Sequence, residues 1–363
     1  MKIQAAVSRE IGQPPSIETL EMEDPRPGEI VVRIIASGIC HTDLGVNSRP
    51  GPRPIVLGHE GAGIVERVGP GVTNLAPGDH VVLSVNYCGE CPSCKRNFHS
   101  YCYEMLPRNF GGTRMDGSSP LSKNGDKIYA RFFGQSSFST YSLADERSAI
   151  KVPADISLET LGPLGCGVQT GAGAVINSLK VGAGQSIAIF GTGSVGLSAV
   201  MAARLVGAER IIAVDVVPAR LALAKDLGAT DAIDGSVGDA GKAIREMTHW
   251  GVDYTLNTTN VPAIYTQALA CLAHQGIAAF VAPPRGEWAP DMFHVLSGGR
   301  SVRGILGGDS TPGLFVPMLI DYYRQGRFPF DRLIKVYPFD QISEAFADSQ
   351  SGRTIKPVLR MPA

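Results

Sequence analysis

The chain carries almost no net charge and no long run of like charges. Its 363 residues sum to a formal charge of −1 at pH 7. A near-neutral protein gives no electrostatic reason to expect nucleic acid or an anionic membrane as a partner. We therefore expect a small-molecule substrate.

The sequence also lacks the usual signals for secretion and for crossing a membrane. Met1–Glu10 contains no apolar run long enough for a signal peptide. Ile187–Val206 is nearly all apolar or small, but three glycines stand where a helix would begin. This pattern predicts a strand, a turn and a helix rather than a membrane span. We expect a cytoplasmic protein.

The seven cysteines do not form the evenly spread framework that indicates disulfides. Six occupy metal-like positions, which fits a reducing compartment. The seventh, Cys271, falls inside the predicted helix Ala263–Ala273, and we expect it to be a small buried apolar residue.

The length of the chain favours two domains, because 363 residues exceed one ordinary core. Up to about residue 150 the pattern is one of short β runs separated by proline and glycine turns. Ile30–Ile35, Ala62–Val68 and His80–Val85 are examples. Many short strands with little helix predict a β-rich, barrel-like domain.

Four cysteines follow with the spacing Cys88-x2-Cys91-x2-Cys94-x7-Cys102. Four thiolates this close can surround one tetrahedral zinc, and such a closed site has a structural role. An iron–sulfur cluster is the alternative, but the bacterial ferredoxin pattern has its fourth cysteine three residues on, followed by proline. Here the gap is seven residues, so zinc is the favoured interpretation.

A second possible metal set is dispersed along the chain. Cys40 and His59 lie beside glycines on predicted loops, and Cys166 lies in a Gly-Cys-Gly sequence. Three protein ligands with an open fourth position would suit a catalytic zinc. Glu60 follows His59 directly and could contact the metal or support a ligand, as could Asp43. Taken from the residue types alone, two buried cysteines and a core histidine remain an equal alternative.

A glycine motif begins the second half of the chain. Ser186–Phe190 predicts a buried strand, Gly191-Thr192-Gly193-Ser194-Val195-Gly196 follows it, and a helix is predicted from Val195 to Val206. Gly191 would make the tight turn, Gly193 would admit a pyrophosphate, and Gly196 would let the helix pack closely. A strand–glycine turn–helix sequence is the context that dinucleotide binding requires.

The acidic partner of this motif is also present. The next strand, Ile211–Val214, leads into Asp215, which lies 19 residues beyond Gly196. A carboxylate there accepts hydrogen bonds from ribose hydroxyls and repels a 2′-phosphate, which favours NAD over NADP. Arg220 could instead bind a phosphate, although we interpret it as a ribose-side contact. Alternating strands and helices continue to about Leu306 and predict a doubly wound α/β domain.

Together these motifs resemble the zinc-dependent alcohol dehydrogenases of the medium-chain dehydrogenase/reductase superfamily. The resemblance covers almost the whole chain and is greatest to the benzyl, aryl or allylic alcohol branch. It implies an α/β protein whose residues 1–167 and 307–363 form a GroES-like catalytic zinc-binding domain. Residues 168–306 would form the NAD-binding Rossmann domain.

The resemblance also implies roles for individual residues. Two zinc ions per chain would be held, one by the catalytic ligands and one by the four closely spaced cysteines. The catalytic ligands would be Cys40, His59 and Cys166, with Glu60 as a transient contact and Asp43 behind His59. Thr42 would relay the alcohol proton. The remaining positions are the cofactor contacts His41, Thr170, Val195 and Arg353, and the substrate-pocket residues Ser84, Leu106, Phe132 and Phe133.

The implied reaction is reversible oxidation of a primary alcohol to an aldehyde, with hydride transfer to NAD. One departure from the best-known members is Gly45, which stands where they have the histidine that ends the proton path. Water or another base would then accept the proton. We expect proton transfer to proceed, but to depend more strongly on solvent access and pH than in the members that have this histidine.

The apolar pocket positions predict an aromatic or allylic alcohol. A polyol or broad-range aliphatic alcohol dehydrogenase, a zinc-free quinone reductase and a non-enzymatic NAD-binding relative are the alternatives. The family commonly pairs its nucleotide domains through an edge strand. We therefore expect a homodimer joined through Arg300–Leu306.

Overall fold

The computed structural model describes residues 1–362. The strands in this range are β1 Lys2–Ser8, β2 Ser16–Met22, β3 Glu29–Gly38, β4 Ile55–Val56, β5 Glu60–Val68, β6 His80–Leu83, β7 Leu121–Lys123, β8 Asp126–Ile128, β9 Tyr141–Asp145, β10 Ala149–Lys151, β11 Ser186–Phe190, β12 Arg210–Asp215, β13 Asp231–Asp234, β14 Val252–Asn257, β15 Leu272–Phe280, β16 Ser301–Gly304, β17 Ile334–Pro338 and β18 Lys356–Arg360. The helices are α1 His41–Asn47, α2 Met105–Phe110, α3 Leu158–Leu161, α4 Gly167–Gly173, α5 Ser194–Leu205, α6 Pro218–Leu227, α7 Ala240–Thr248, α8 Pro262–Ala270, α9 Met292–Gly298, α10 Pro312–Arg324 and α11 Ile342–Gln350.

The chain divides into two compact units. The first contains Met1–Cys166, Thr311–Met318 and the residues from Asp331 onward. The second contains Gly167–Ser310 and Leu319–Phe330. The domain boundaries expected from the sequence put residues 319–330 in the first domain, whereas their contacts group them with the second unit.

The first unit is built from two sheets, as its short β runs predicted. One has the order β4-β1-β2-β7-β8, and the other has the order β10-β6-β5-β3-β18-β17 with β9 paired to β3. β3 has neighbours on both edges, and eight of its ten side chains are buried. This burial explains its nearly continuous apolar sequence. The prediction of a β-rich catalytic domain is confirmed.

Strand β18 completes the second of these sheets from the far end of the chain. It runs antiparallel to β3, with Val358 opposite Gly38 and Arg360 opposite Ala36. The pairing places the last part of the chain beside the end of β3, two residues before Cys40. No short-range pattern in the sequence predicted this neighbour.

The second unit has a six-stranded sheet in which every pair of neighbouring strands is parallel. Its strand order is β13-β12-β11-β14-β15-β16. Counted from β11, this is the order 3-2-1-4-5-6 of a doubly wound dinucleotide-binding fold. The predicted Rossmann domain is therefore confirmed as a fold.

The turn between β11 and α5 requires glycine at two positions. Gly191 has φ of +87°, a left-handed conformation that side chains disfavour. A Cβ on Gly196 would lie 1.9 Å from the carbonyl oxygen of Gly191, so α5 can begin here only with glycine at this position. These are the turn and packing roles that the motif predicted.

One helix ends three residues earlier than predicted. Helix α8 ends at Ala270 rather than Ala273, because Leu272 already begins β15. Cys271 between them is fully buried. Ala174–Leu179 continues α4 in the wider π-helical form. Within residues 1–362, no helix combines the length and the apolarity needed to cross a bilayer.

Candidate active site

The end of β3 and the beginning of α1 position Cys40. It is the N-cap residue of α1, and its backbone N–H donates to Asp43 Oδ2 at 2.9 Å. Thr42 lies in the first turn of α1, with its hydroxyl oxygen 3.8 Å from Cys40 Sγ. His41 begins the helix and is exposed.

Asp43 connects this helix to the segment that carries His59. Its Oδ1 accepts the backbone N–H of Gly58 at 3.0 Å and lies 3.0 Å from His59 Nδ1. Both side chains are completely buried. The contact fixes the proton of the imidazole on Nδ1 and leaves Nε2 as the basic nitrogen.

The second ring nitrogen of His59, Nε2, is the strongest indication of a metal site. His59 Nε2 is buried and makes no well-formed hydrogen bond, although it interacts with the Cys40 side chain, and a poorly satisfied polar atom is costly in a protein interior. Cys40, Glu60 and Cys166 offer ligand atoms that all lie, with that of His59, within 4.8 Å of one another. Two sulfurs and an imidazole nitrogen are ligands that zinc prefers, so this set fits a zinc ion.

The charges of the cluster are strongly coupled. A hydrogen bond with Cys166 holds the pKa of Cys40 well below its ordinary value, and the same contact raises the pKa of Cys166. Burial alone would lower the pKa of His59, but the charges of Asp43 and Cys40 outweigh it and raise the pKa. The site is thus arranged to hold negative charge on sulfur, which a cation would stabilise.

Glu60 is held by a residue that the sequence analysis missed. Lys356 Nζ donates to both carboxylate oxygens of Glu60, at 2.9 and 2.8 Å, and to the carbonyl oxygen of Ile39 at 3.0 Å. Burial alone would lower the pKa of Lys356, but the charge of Glu60 more than compensates and the net pKa is raised. Glu60 and Lys356 are 296 residues apart in the sequence. The sequence feature that could have indicated this contact is a lysine at the start of a short apolar strand.

Two aromatic rings cover His59. Phe133 stacks on the imidazole with ring centroids 4.4 Å apart, and Phe132 meets it edge-on at 5.4 Å. Phe133 has φ of 50°, an uncommon conformation for a bulky residue. Of the other predicted pocket residues, Ser84 is buried and donates to the carbonyl oxygen of Gly165 at 2.7 Å, whereas Leu106 is 67% exposed.

The four closely spaced cysteines form a separate cluster. Their sulfurs lie within 4.8 Å of one another. Backbone N–H groups of Cys88 and Cys91 donate to Sγ atoms of Cys102 and Cys88, each at 3.3 Å. Hydrogen bonds from backbone N–H groups, that of Tyr103 first, lower the pKa of Cys91 to about 6. Hydrogen bonds to sulfur favour thiolates, and a four-thiolate set fits a structural zinc.

In the second unit, the glycine turn offers an anion site. Ser194 begins α5, and its buried hydroxyl has no hydrogen-bond partner. A Cβ built on Gly193 would meet no atom within 4 Å, so open space lies beside the helix N-terminus. Free N–H groups, a spare hydroxyl and space together fit a pyrophosphate.

The remaining predicted cofactor residues lie on both units. Asp215 ends β12 beside the glycine turn, and Arg220 is half-buried in α6. Thr170 in α4 and Val195 in α5 are half-buried, and these helices pack closely, because a Cβ on Gly171 would lie 2.0 Å from the Val195 oxygen. Arg353, in the first unit, is exposed and bonds Asp348 Oδ1 at 2.7 Å.

Comparison with known proteins identifies the family. Residues 26–154 match the alcohol dehydrogenase GroES-like domain, and residues 194–319 match the zinc-binding dehydrogenase family. Over 365 aligned positions the chain is 48% identical to the geraniol dehydrogenase of Castellaniella defragrans, covering 98% of this chain and 97% of that enzyme. The chain belongs to the zinc-binding alcohol dehydrogenases. It is an oxidoreductase that uses a nicotinamide dinucleotide, and the predicted resemblance is confirmed.

Solved alcohol dehydrogenases have the same fold over their full length. An alcohol dehydrogenase zinc-binding domain protein from Burkholderia ambifaria is 52% identical, with a TM-score of 0.98. The benzyl alcohol dehydrogenase of Acinetobacter calcoaceticus is 44% identical, with a TM-score of 0.96. Each superposition covers 100% of both chains.

The pairing of Lys356 with Glu60 leads to a stability prediction. Replacement of Lys356 by Met removes the cation that neutralises the buried Glu60 carboxylate, so we expect the free energy of unfolding to fall by about 3–5 kcal/mol. Urea unfolding of the zinc-loaded protein measures the change.

Lys242→Met is the matched control. Lys242 and its partner Glu246 are 77% and 69% exposed, and an exposed pair of this kind contributes at most about 1 kcal/mol. Equal losses of stability in the two variants would show that the buried pair contributes no more to the free energy of unfolding than the exposed pair.

Proposed function

We propose that the protein oxidises a primary alcohol to the aldehyde, reversibly, with zinc and NAD. The observation that carries the proposal is the cluster of buried His59 with half-buried Cys40 and Cys166, in which His59 Nε2 makes no well-formed hydrogen bond. A structural histidine would have a hydrogen-bond partner for that atom. The proposed complement is two zinc ions per chain, the second bound by Cys88, Cys91, Cys94 and Cys102.

Each protein group has a limited task in this proposal. When bound, zinc supplies a Lewis acid that lowers the pKa of an alcohol, and NAD supplies the hydride acceptor. Asp43 holds the His59 ring in orientation through Nδ1. The Thr42 hydroxyl, beside Cys40 Sγ, accepts the proton of the alcohol and passes on its own. Glu60 is paired with Lys356, and its carboxylate is the proposed transient contact of the metal.

The domain assignment follows from these sites. We assign the zinc-binding catalytic domain to residues 1–167 and 307–363, and the NAD-binding domain to residues 168–306. NAD rather than NADP is supported by Asp215, whose carboxylate suits ribose hydroxyls and repels a 2′-phosphate. His41, Thr170, Val195, Arg220 and Arg353 are the proposed further cofactor contacts.

The proposed substrate class is aromatic or allylic primary alcohols. Two relatives are named for geraniol and benzyl alcohol. Phe133, which is half-buried, also places a flat apolar ring against His59, whereas the predicted pocket residue Phe132 is fully buried behind it. A flat, apolar alcohol can pack on such a ring, whereas a polyol would leave its hydroxyl groups without partners. Ser84 and Leu106 are further proposed pocket positions.

The test is NAD reduction with benzyl, cinnamyl, geranyl and short aliphatic alcohols, together with the zinc content of the protein. We expect about two zinc per chain, and kcat/KM at least about ten-fold higher for the flat alcohols than for ethanol. Cys40→Ser should lose one zinc and nearly all activity, since it removes a ligand of the catalytic site. Cys94→Ser is the matched control and should lose the other zinc.

Three results would contradict the proposal. Activity that survives removal of the Cys40 zinc would favour a zinc-free reductase. A preference for polyols or aliphatic alcohols would mean that the proposed substrate class is wrong. A fully zinc-loaded protein that reduces no NAD with any alcohol would favour a non-enzymatic relative.

Gly45 leads to a prediction on pH. Gly45 lies in α1 on the same helix as Thr42, and a Cβ built on it would meet no atom within 4 Å. Gly45→His should therefore fit and supply a proton acceptor with a pKa of about 6.5. We expect kcat to gain a pH dependence near that value, with less inhibition as the pH falls toward 7.

Gly45→Gln is the control, because it adds a polar side chain that does not titrate. The pH–rate profiles of the three proteins provide the measurement. A profile of the wild type that already shows a histidine-like pKa, removable by mutation elsewhere, would mean that water is not the acceptor.

A cytoplasmic homodimer is the proposed state of the protein. Strand β16 ends the six-stranded sheet, and all four of its residues are exposed. Val302 on this strand and Leu306 after it are 44% and 41% exposed. An edge strand that presents an exposed valine suits pairing with a second copy.

Light scattering tests the dimer. Val302→Glu places a charge on the proposed edge and should convert the dimer to monomer at micromolar concentration. Val237→Glu is the control, because Val237 is 79% exposed but lies outside β16. A monomeric wild type, or a dimer that Val302→Glu leaves intact, would exclude this edge.

A further inference from the structure

The Asp215 carboxylate, proposed above to bind ribose, already has four hydrogen-bond donors within the protein. Its Oδ2 accepts the backbone N–H of Thr192 at 2.6 Å and the Thr192 hydroxyl at 2.8 Å. Its Oδ1 accepts the backbone N–H groups of Val216 at 2.8 Å and Val217 at 3.0 Å. Asp215 is only 9% exposed.

This arrangement leaves no open acceptor position. A carboxylate has about four lone-pair positions, two on each oxygen. Within residues 1–362, the four donors fill these positions. A ribose hydroxyl that is to donate to Asp215 must therefore displace one donor or share its oxygen.

The four donors differ in how easily they can leave. Three are backbone N–H groups: one lies in the glycine turn, and two follow β12 directly. Moving any of them requires the chain itself to shift. The Thr192 hydroxyl belongs to a side chain, and rotation about the Cα–Cβ bond can move its oxygen away from Asp215 Oδ2 without moving the backbone.

We propose that the Thr192 hydroxyl is a placeholder for the cofactor ribose and weakens NAD(H) binding. In the free enzyme it occupies the position on Asp215 Oδ2 that a ribose hydroxyl takes when the cofactor binds. Its displacement costs one charge-assisted hydrogen bond, which offsets part of the bond that the ribose makes. Thr192 is therefore a determinant of cofactor affinity that acts through Asp215, and the inference rests on the proposed use of NAD.

The Thr192 hydroxyl also affects the selectivity between NAD(H) and NADP(H). A 2′-phosphate brings no hydrogen-bond donor to the carboxylate, so NADP(H) gains nothing from a vacated position on Oδ2. Removing the hydroxyl should help NAD(H) and leave NADP(H) unchanged. An effect on the general stability of the turn would change the binding of both cofactors together.

The test is the dissociation constant of the zinc-loaded enzyme for NADH and for NADPH, measured by fluorescence titration. Thr192→Val keeps the size of the side chain and removes the hydroxyl. We expect about three- to ten-fold tighter NADH binding and no change for NADPH. Thr192→Ser keeps a hydroxyl and should bind like the wild type. Thr192→Ala serves as a second hydroxyl-free variant should Thr192→Val fold poorly.

Thr258→Val is the matched control at the same turn. The Thr258 hydroxyl donates to the carbonyl oxygens of Phe190 and Gly191 and does not contact Asp215. It should not tighten NADH binding. Tightening by Thr192→Val should also disappear when Asp215 is replaced by Asn, because the charged acceptor is then absent.

The outcomes separate this inference from the proposed function. A wild type that binds NADPH more tightly than NADH would overturn both. A wild type that prefers NADH, with unchanged or weaker NADH binding in Thr192→Val and Thr192→Ala, would overturn only the placeholder role. Equal tightening of both cofactors would also overturn it.

Discussion

Three hydrogen bonds to the carboxylate of Asp43 hold the metal-binding part of the first unit together. They come from the Cys40 backbone, the Gly58 backbone and the His59 ring. The first caps α1, and the other two fix the segment before β5. Because the carboxylate is completely buried, water does not compete for these bonds, and the two ligand-bearing segments keep one geometry.

The other groups of the cluster depend on this arrangement and on close backbone packing. Glu60 fits beside β3 only because Gly38 has no side chain, since a Cβ there would lie 2.1 Å from Glu60 Oε2. Lys356 then neutralises Glu60 from β18. The stacked ring of Phe133 covers His59 on one side. A negative, apolar-walled site of this kind gains from a bound cation, whose charge interacts strongly in a low dielectric.

The second unit prepares its site in a comparable way. Gly191 and Gly196 allow β11 to turn directly into α5, and Thr192 between them reaches the carboxylate of Asp215 at the end of β12. The glycine turn and Asp215, the proposed phosphate and ribose sites, are therefore one hydrogen-bonded unit. Because these groups are already ordered, less conformational entropy is lost when the cofactor binds. Under the placeholder proposal, the Thr192 hydroxyl also competes with the ribose for Asp215.

Local patterns in the sequence were sufficient for the strand β11, the glycine turn, Asp215 and the four-cysteine cluster, because each is defined by neighbours within about 20 residues. The fold class followed from the same alternation of strands and helices. The pairing of β18 with β3, the contact of Lys356 with Glu60 and the stacking of Phe133 on His59 were decided only by the tertiary structure. The strand pairing joins Arg360 to Ala36, and Lys356 lies 296 positions from Glu60. No periodicity or spacing encodes contacts over such separations. The poorly satisfied, buried Nε2 of His59 likewise exists only once the chain has folded around it.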